Sequence, residues 1–270
     1  MGEHQVKEKA IKFLYAFDCY LLYVLSSVVA SFAVVVYYSV VAAQDVGALS
    51  ADVDANVFFE YIANILSGKS SLVLFISYIL VLLVTIIVFA AKKIKLGAYT
   101  GFSYCRPISL IASVCLGALL NLIVSYFVPA QSGGEVEIVP LMIICVLLGP
   151  IVEEIVFRGI LLKMFGAAVG VFFSIVITAL LFSVSHAISQ ADMVQVIYTF
   201  VLGILLGVVR YKSTSLWSAI AVHMSFNLSS AFFGWFNLDL DGADILLCAA
   251  VAVVMFFLSC TGGRKVRKKL

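Results

Sequence analysis

Eight runs of apolar residues, each long enough to cross a bilayer as a helix, constrain this chain more than any motif does. They fall near 14–43, 71–91, 108–129, 139–163, 168–188, 193–209, 215–237 and 244–260, and a hydrocarbon layer of roughly 30 Å takes about 20 helical residues. The runs are too long for outer-membrane strands and lack period-2 alternation, so a helical bundle is the way their backbone polar groups can be satisfied in lipid. The expected fold is therefore all-α: a polytopic transmembrane bundle of about eight spans in a single membrane domain, residues 1–270. Only 12% of the side chains are charged and 64% are hydrophobic, which excludes a soluble enzyme, a disordered tail and a nucleic-acid binder.

The connecting segments alternate in sign. Lys7, Lys9 and Lys12, then Lys92, Lys93, Lys95 and Arg106, then Arg158 and Lys163, then Arg210 and Lys212, and finally Arg264, Lys265, Arg267, Lys268 and Lys269 account for 16 of the 17 basic residues. The other connections carry Asp45, Asp52, Asp54, Glu60, Glu135, Glu137, Asp192, Asp239, Asp241 and Asp244, with Lys69 as their lone base. By the positive-inside rule both termini lie in the cytoplasm. The first run is nearly twice a signal-peptide h-region and reads as a retained helix. The basic C-terminal segment reads as an orientation signal and a contact for anionic lipids. Six scattered cysteines without C-x-x-C spacing imply no disulfide framework. Val53, Val57, Phe58, Tyr61, Ile62, Ile65 and Leu66 recur at helical spacing, as in an interfacial helix or a lid.

Ionisable groups deep in spans are costly and mark candidate sites. The fourth run contains Gly149-Pro150-Ile151-Val152-Glu153-Glu154-Ile155-Val156-Phe157-Arg158-Gly159. Pro150 cannot donate to a helix, so it is expected to kink or restart it and to place both glutamates in a fresh first turn. Glu154 and Arg158 are four apart and can pair on one face, whereas Glu153 points about 100° away with no counter-charge that spacing can name. The fifth run supplies Phe182 and His186, the seventh His223 and Asn227, each pair again four apart. A lone membrane histidine most often makes a helix-helix hydrogen bond. Two histidines, an unpaired glutamate and an asparagine on three spans point instead to a site, provided that Gly166 and Gly170 keep the chain irregular to about Phe172 so that depths match. Gly166 with Gly170, and Gly203 with Gly207, are also spaced for close helix contact.

Such a set suits hydrolysis. A carboxylate with a histidine can deprotonate a water, and a second histidine with an amide can stabilise an oxyanion. Glu153, His186 and His223 could instead bind zinc and leave one position open. Neither H-E-x-x-H nor G-x-S-x-G occurs, which argues against zincin-type and nucleophile-elbow hydrolases.

Glu153-Glu154-x-x-x-Arg158, Phe182-x-x-x-His186 and His223-x-x-x-Asn227, in that order and each in a span, resemble the CAAX-protease and bacteriocin-processing family (CPBP, also called Abi) of intramembrane proteases. The resemblance covers roughly 139–230, a catalytic core within the membrane domain. It implies Glu153 as general base on water assisted by His186, His223 and Asn227 as oxyanion hole, Glu154 and Arg158 as orienting groups, and Phe182 shaping the site. It favours a metal-free glutamate mechanism, with no cofactor and with a divalent metal such as zinc as the alternative. The implied substrate is a membrane-associated or lipid-linked peptide, and the expected location is the bacterial cytoplasmic membrane. Two other readings compete: a non-catalytic immunity or scaffold protein with a membrane-protein partner, and a proton-coupled transporter built on buried Glu and His. The transporter would be expected to show paired broken helices, which the sequence lacks.

Overall fold

The computed structural model describes residues 3–45, 56, 60, 63–64, 70–128, 140–189, 193–233 and 240–261. The amphipathic stretch expected at 53–66 falls mostly outside them, as does the basic C-terminal segment. The chain runs α1 (Glu3–Asp45), α2 (Ser70–Ala91), the short α3 (Leu96–Thr100), α4 (Pro107–Phe127), α5 (Pro140–Glu154), a π-helical segment (Ile155–Leu161), α6 (Leu162–Val169), α7 (Val171–Ser189), α8 (Met193–Ser213), α9 (Leu216–Phe233) and α10 (Gly242–Ser259). No strand occurs among the described residues, and each of the eight expected apolar runs is mostly helical where it is described. Five helices are long and apolar enough to cross a membrane: His4–Val41, Ser71–Ala91, Pro107–Phe127, Met193–Ser213 and Gly242–Ser259. The protein is an integral membrane protein.

Lipid tails are as apolar as leucine, so helices in a membrane associate through close packing and polar links and not through hydrophobic transfer. Both devices are present. Against α1 and α2, the π segment and its neighbours bury Val152, Val156, Phe157, Leu161, Phe165 and Phe182 with Ala16, Tyr20 and Val81. A second cluster joins α4, α8, α9 and α10 through Leu116, Leu202, Leu206, Val222, Phe226 and Ala252. Glycine sets the spacing of α7 and α8: a Cβ on Gly203 would stand 3.0 Å from the Ala179 Cα, and one on Gly207 would stand 3.0 Å from Ile175. The other glycine pair does not act this way, since a Cβ on Gly170 meets nothing and one on Gly166 reaches Ser174 only at 3.9 Å.

Two local expectations are corrected. Pro150 lies inside α5 without restarting it, so Glu153 and Glu154 sit at the C-terminal end of that helix and no N-terminal dipole acts on them. The irregularity comes after them: the Leu162 amide bonds the Phe157 carbonyl five residues back, closing a π turn. Gly166 is helical, and the chain breaks at Gly170 alone, where φ is 85°, a value that suits glycine. Helix α7 then begins at Val171, within one residue of the start that a shared depth requires.

At one end of the bundle the 101–106 connection is bonded to the start of α9. The Leu216 amide donates to the Gly101 carbonyl at 2.9 Å, the Ser215 hydroxyl to the Ser103 carbonyl at 2.8 Å and the Ser103 hydroxyl to the Thr214 carbonyl at 2.8 Å. The Arg210 guanidinium reaches the Thr100 carbonyl at 3.1 Å, and the Lys163 ammonium lies 4.1 Å from the Tyr99 ring centroid. These contacts hold α3 beneath the π segment.

Candidate active site

The junction of α5 and the π segment presents Glu153, Glu154 and Arg158 to the interior, with exposures of 6%, 0% and 1%. Helical spacing makes the Glu154–Arg158 pair: guanidinium nitrogen and carboxylate oxygen are 2.7 Å apart. A second Arg158 nitrogen donates to the Gly203 carbonyl at 3.2 Å, and its carbon lies 4.5 Å from the Phe182 ring centroid, a cation–π distance. Gly203 therefore offers the site a backbone acceptor as well as letting α7 and α8 approach.

Helix α9 brings His223 onto both carboxylates. Its Nδ1 is 2.9 Å from Glu154 Oε1 and its Nε2 is 3.8 Å from Glu153 Oε2. An ionised carboxylate only accepts, so Nδ1 carries a proton and Nε2 faces Glu153. Helix α7 adds Phe182, whose ring packs against His186 at 4.5 Å and His223 at 5.6 Å between centroids. The His186 Nδ1 lies 2.9 Å from the Phe182 carbonyl. A carbonyl likewise only accepts, so Nδ1 of that ring carries a proton. Glu153, Glu154, Arg158, Phe182, His186 and His223 thus form one continuous contact set. Asn227 stands one turn beyond His223 on the same helix and takes no part in this hydrogen-bond network.

Glu153 has a partner that spacing did not reveal. The Tyr78 hydroxyl, from α2, donates to Glu153 Oε1 at 3.0 Å. Tyrosine in an apolar span carries no local signal of such a role. Helix α1 supplies further aromatic wall, with Tyr23 and Tyr20 edge-on to Phe157 at 5.2 and 6.3 Å, and Phe157 edge-on to Phe182 at 5.3 Å. Among the described residues no three His, Cys, Asp or Glu side chains are grouped to hold a metal ion. The triplet Glu153, His186 and His223 is not assembled as a ligand set in this arrangement.

A buried carboxylate with one oxygen held by a phenol and the other facing an imidazole is equipped to orient and deprotonate a water. No curated protein and no solved structure is significantly similar to the chain. Residues 135–229, which contain every charged or imidazole group of this site, match the family described as Type II CAAX prenyl endopeptidase Rce1-like, the same family of proteases to which the three motif pieces point.

Proposed function

We propose that the protein is an intramembrane endopeptidase that hydrolyses a peptide bond of a membrane-associated or lipid-linked substrate. The observation that carries this reading is Glu153, buried in the bundle with Oε1 bonded to Tyr78 and Oε2 3.8 Å from His223 Nε2. Glu153, assisted by His186, takes a proton from water as its oxygen bonds to the substrate carbonyl carbon. The same proton passes to the leaving nitrogen as the C–N bond breaks. His223 and the Asn227 amide stabilise the oxyanion between these steps. A ring that already donates through Nδ1 can donate through Nε2 only as an imidazolium. Ionised Glu153, Glu154 and Arg158 sum to one negative charge, which that imidazolium would neutralise.

The similarity to the CAAX prenyl endopeptidase family supports a prenylated C-terminal peptide as the substrate to try first. All eight apolar runs cross the membrane in this reading, with both termini in the cytoplasm of a bacterial cell and the basic connections against anionic lipids; tags at the two ends accessible only from outside would refute that orientation. The decisive experiment uses purified, reconstituted protein and an internally quenched prenylated CAAX peptide. Glu153→Gln, which keeps the side-chain volume, should leave the protein folded and abolish cleavage. Unchanged turnover would sink the assignment.

A further inference from the structure

Tyr78 belongs to α2, outside residues 135–229, yet it reaches the carboxylate on which the proposed hydrolysis turns. We propose that Tyr78 is a positioning residue that anchors Glu153 Oε1 and leaves Oε2 as the oxygen that acts on water. This inference rests on the endopeptidase reading and deepens it.

Three observations carry it. The hydroxyl-to-Oε1 distance is 3.0 Å, while the neighbouring carboxylate takes Arg158 at 2.7 Å and His223 Nδ1 at 2.9 Å. Arg158 therefore hydrogen-bonds Glu154, and among the described residues the phenol is the side chain within hydrogen-bond distance of Glu153. The two oxygens of Glu153 are consequently unlike: one faces Tyr78 and the other faces His223 Nε2. Finally, α5 is notched to admit the phenol. A Cβ on Gly149 would lie 2.7 Å from the Tyr78 hydroxyl oxygen and 2.8 Å from the ring carbon bearing it, so any larger residue there must displace the group.

Among the described residues, the charged and titratable groups that interact with Glu153 come from four elements. They are Tyr23 of α1, which stands near enough to feel its charge, Tyr78 of α2, Glu154 and Arg158 on its own rod, and His223 of α9. His186 of α7 packs on the same Phe182 ring as His223. Removing the Tyr78 hydroxyl changes one hydrogen bond in this set and leaves each formal charge in place. A hydrogen bond to the charged form of a carboxylate favours that form, so its loss should be visible in how cleavage depends on pH. Lower yield of active protein would not produce such a shift.

The experiment compares wild type, Tyr78→Phe, Gly149→Ala and Glu153→Gln, each full-length and reconstituted, with the quenched prenylated CAAX peptide. Tyr78→Phe should retain its melting transition, lose about tenfold in kcat with KM within twofold, and move the acid limb of its kcat/KM profile to higher pH. Gly149→Ala, which keeps the hydroxyl but pushes it aside, should move the profile in the same direction. If both variants keep the wild-type profile while Glu153→Gln is inactive, the positioning role is wrong and the endopeptidase reading stands. If Glu153→Gln still cleaves, the endopeptidase reading itself fails. Loss of the melting transition in Tyr78→Phe and Gly149→Ala alike would mark the phenol as a packing residue and overturn the proposal.

Discussion

Replacing Arg158 by methionine separates what the buried ion pair does for stability from what it does for the site. Both partners are fully buried, at 0% side-chain exposure, and 2.7 Å apart. Methionine fills much of the arginine volume but leaves the Glu154 charge with His223 as its remaining hydrogen-bond partner. Stranding one charge of a buried pair costs about 3–5 kcal/mol. Glu154→Gln strands the opposite charge, with the Gly203 carbonyl and the Phe182 face left to meet it, and should cost about as much. Independent losses would sum to roughly 6–10 kcal/mol, yet the double variant Glu154→Gln/Arg158→Met strands neither member of the pair and should lie within about 2 kcal/mol of wild type. Recovery is the more expected because the native pair is imperfectly satisfied: Glu154 Oε2 and Arg158 Nε have no hydrogen-bond partner among the described residues. The assay is reversible SDS unfolding in mixed micelles followed by tryptophan fluorescence, for which Trp217, packed against Phe102 at 5.0 Å between ring centroids, is a reporter. Single losses below about 1 kcal/mol, or a double variant as unstable as the sum, would refute the reasoning. Cleavage should stay low in the recovered double variant, since His223 has lost the charged partner that orients it.

Asn227→Ala should lower kcat by about 10²–10³, the usual cost of one oxyanion donor, with the melting transition unchanged because the amide lies outside the buried network; kinetics on the quenched peptide decide it. Gly203→Val places a Cβ 3.0 Å from the Ala179 Cα and also pushes the carbonyl that accepts from Arg158, so an overpacking cost of about 1–3 kcal/mol should appear in the same unfolding assay together with reduced cleavage. Chelation should leave turnover unchanged and elemental analysis should find far less than one metal per chain; loss of activity to chelator with rescue by zinc would overturn the metal-free mechanism.

Much of this was legible from spacing. Apolar runs of about 20 residues mark helices because lipid offers the backbone no other partner, and the runs are mostly helical where they are described. Glu154 with Arg158, and Phe182 with His186, meet because residues four apart share a face. Tertiary matters were not legible. Tyr78 lies 75 residues before Glu153, in a span that would be as apolar with phenylalanine there, and nothing local distinguishes a phenol that finds a carboxylate from one that faces lipid. Gly203 announced close packing through its spacing with Gly207, but its carbonyl as an acceptor for Arg158 depends on how α8 lies across the π segment. Pro150 misled because a missing amide interrupts a hydrogen bond without dictating where the chain responds. Here α5 passes through the proline, and the irregular turn falls after Glu154, where seven successive residues from Ile155 to Leu161 are all buried.

That wide turn sets an angular phase. The rod from Pro140 to Val169 is one continuous helical path whose two halves are wound out of step. Every side chain before residue 155 is rotated relative to those after 161 as if one residue had been inserted, and a residue of α-helix corresponds to about 100° of rotation. Excising a single residue from 155–161 would let the rod close as plain α-helix. It could not then keep Glu153 facing α2 and α9 while Phe165 stays seated against Phe13 of α1. Shortening this stretch by one residue should therefore do more damage than a conservative substitution within it, because it retimes one half of the rod against the other.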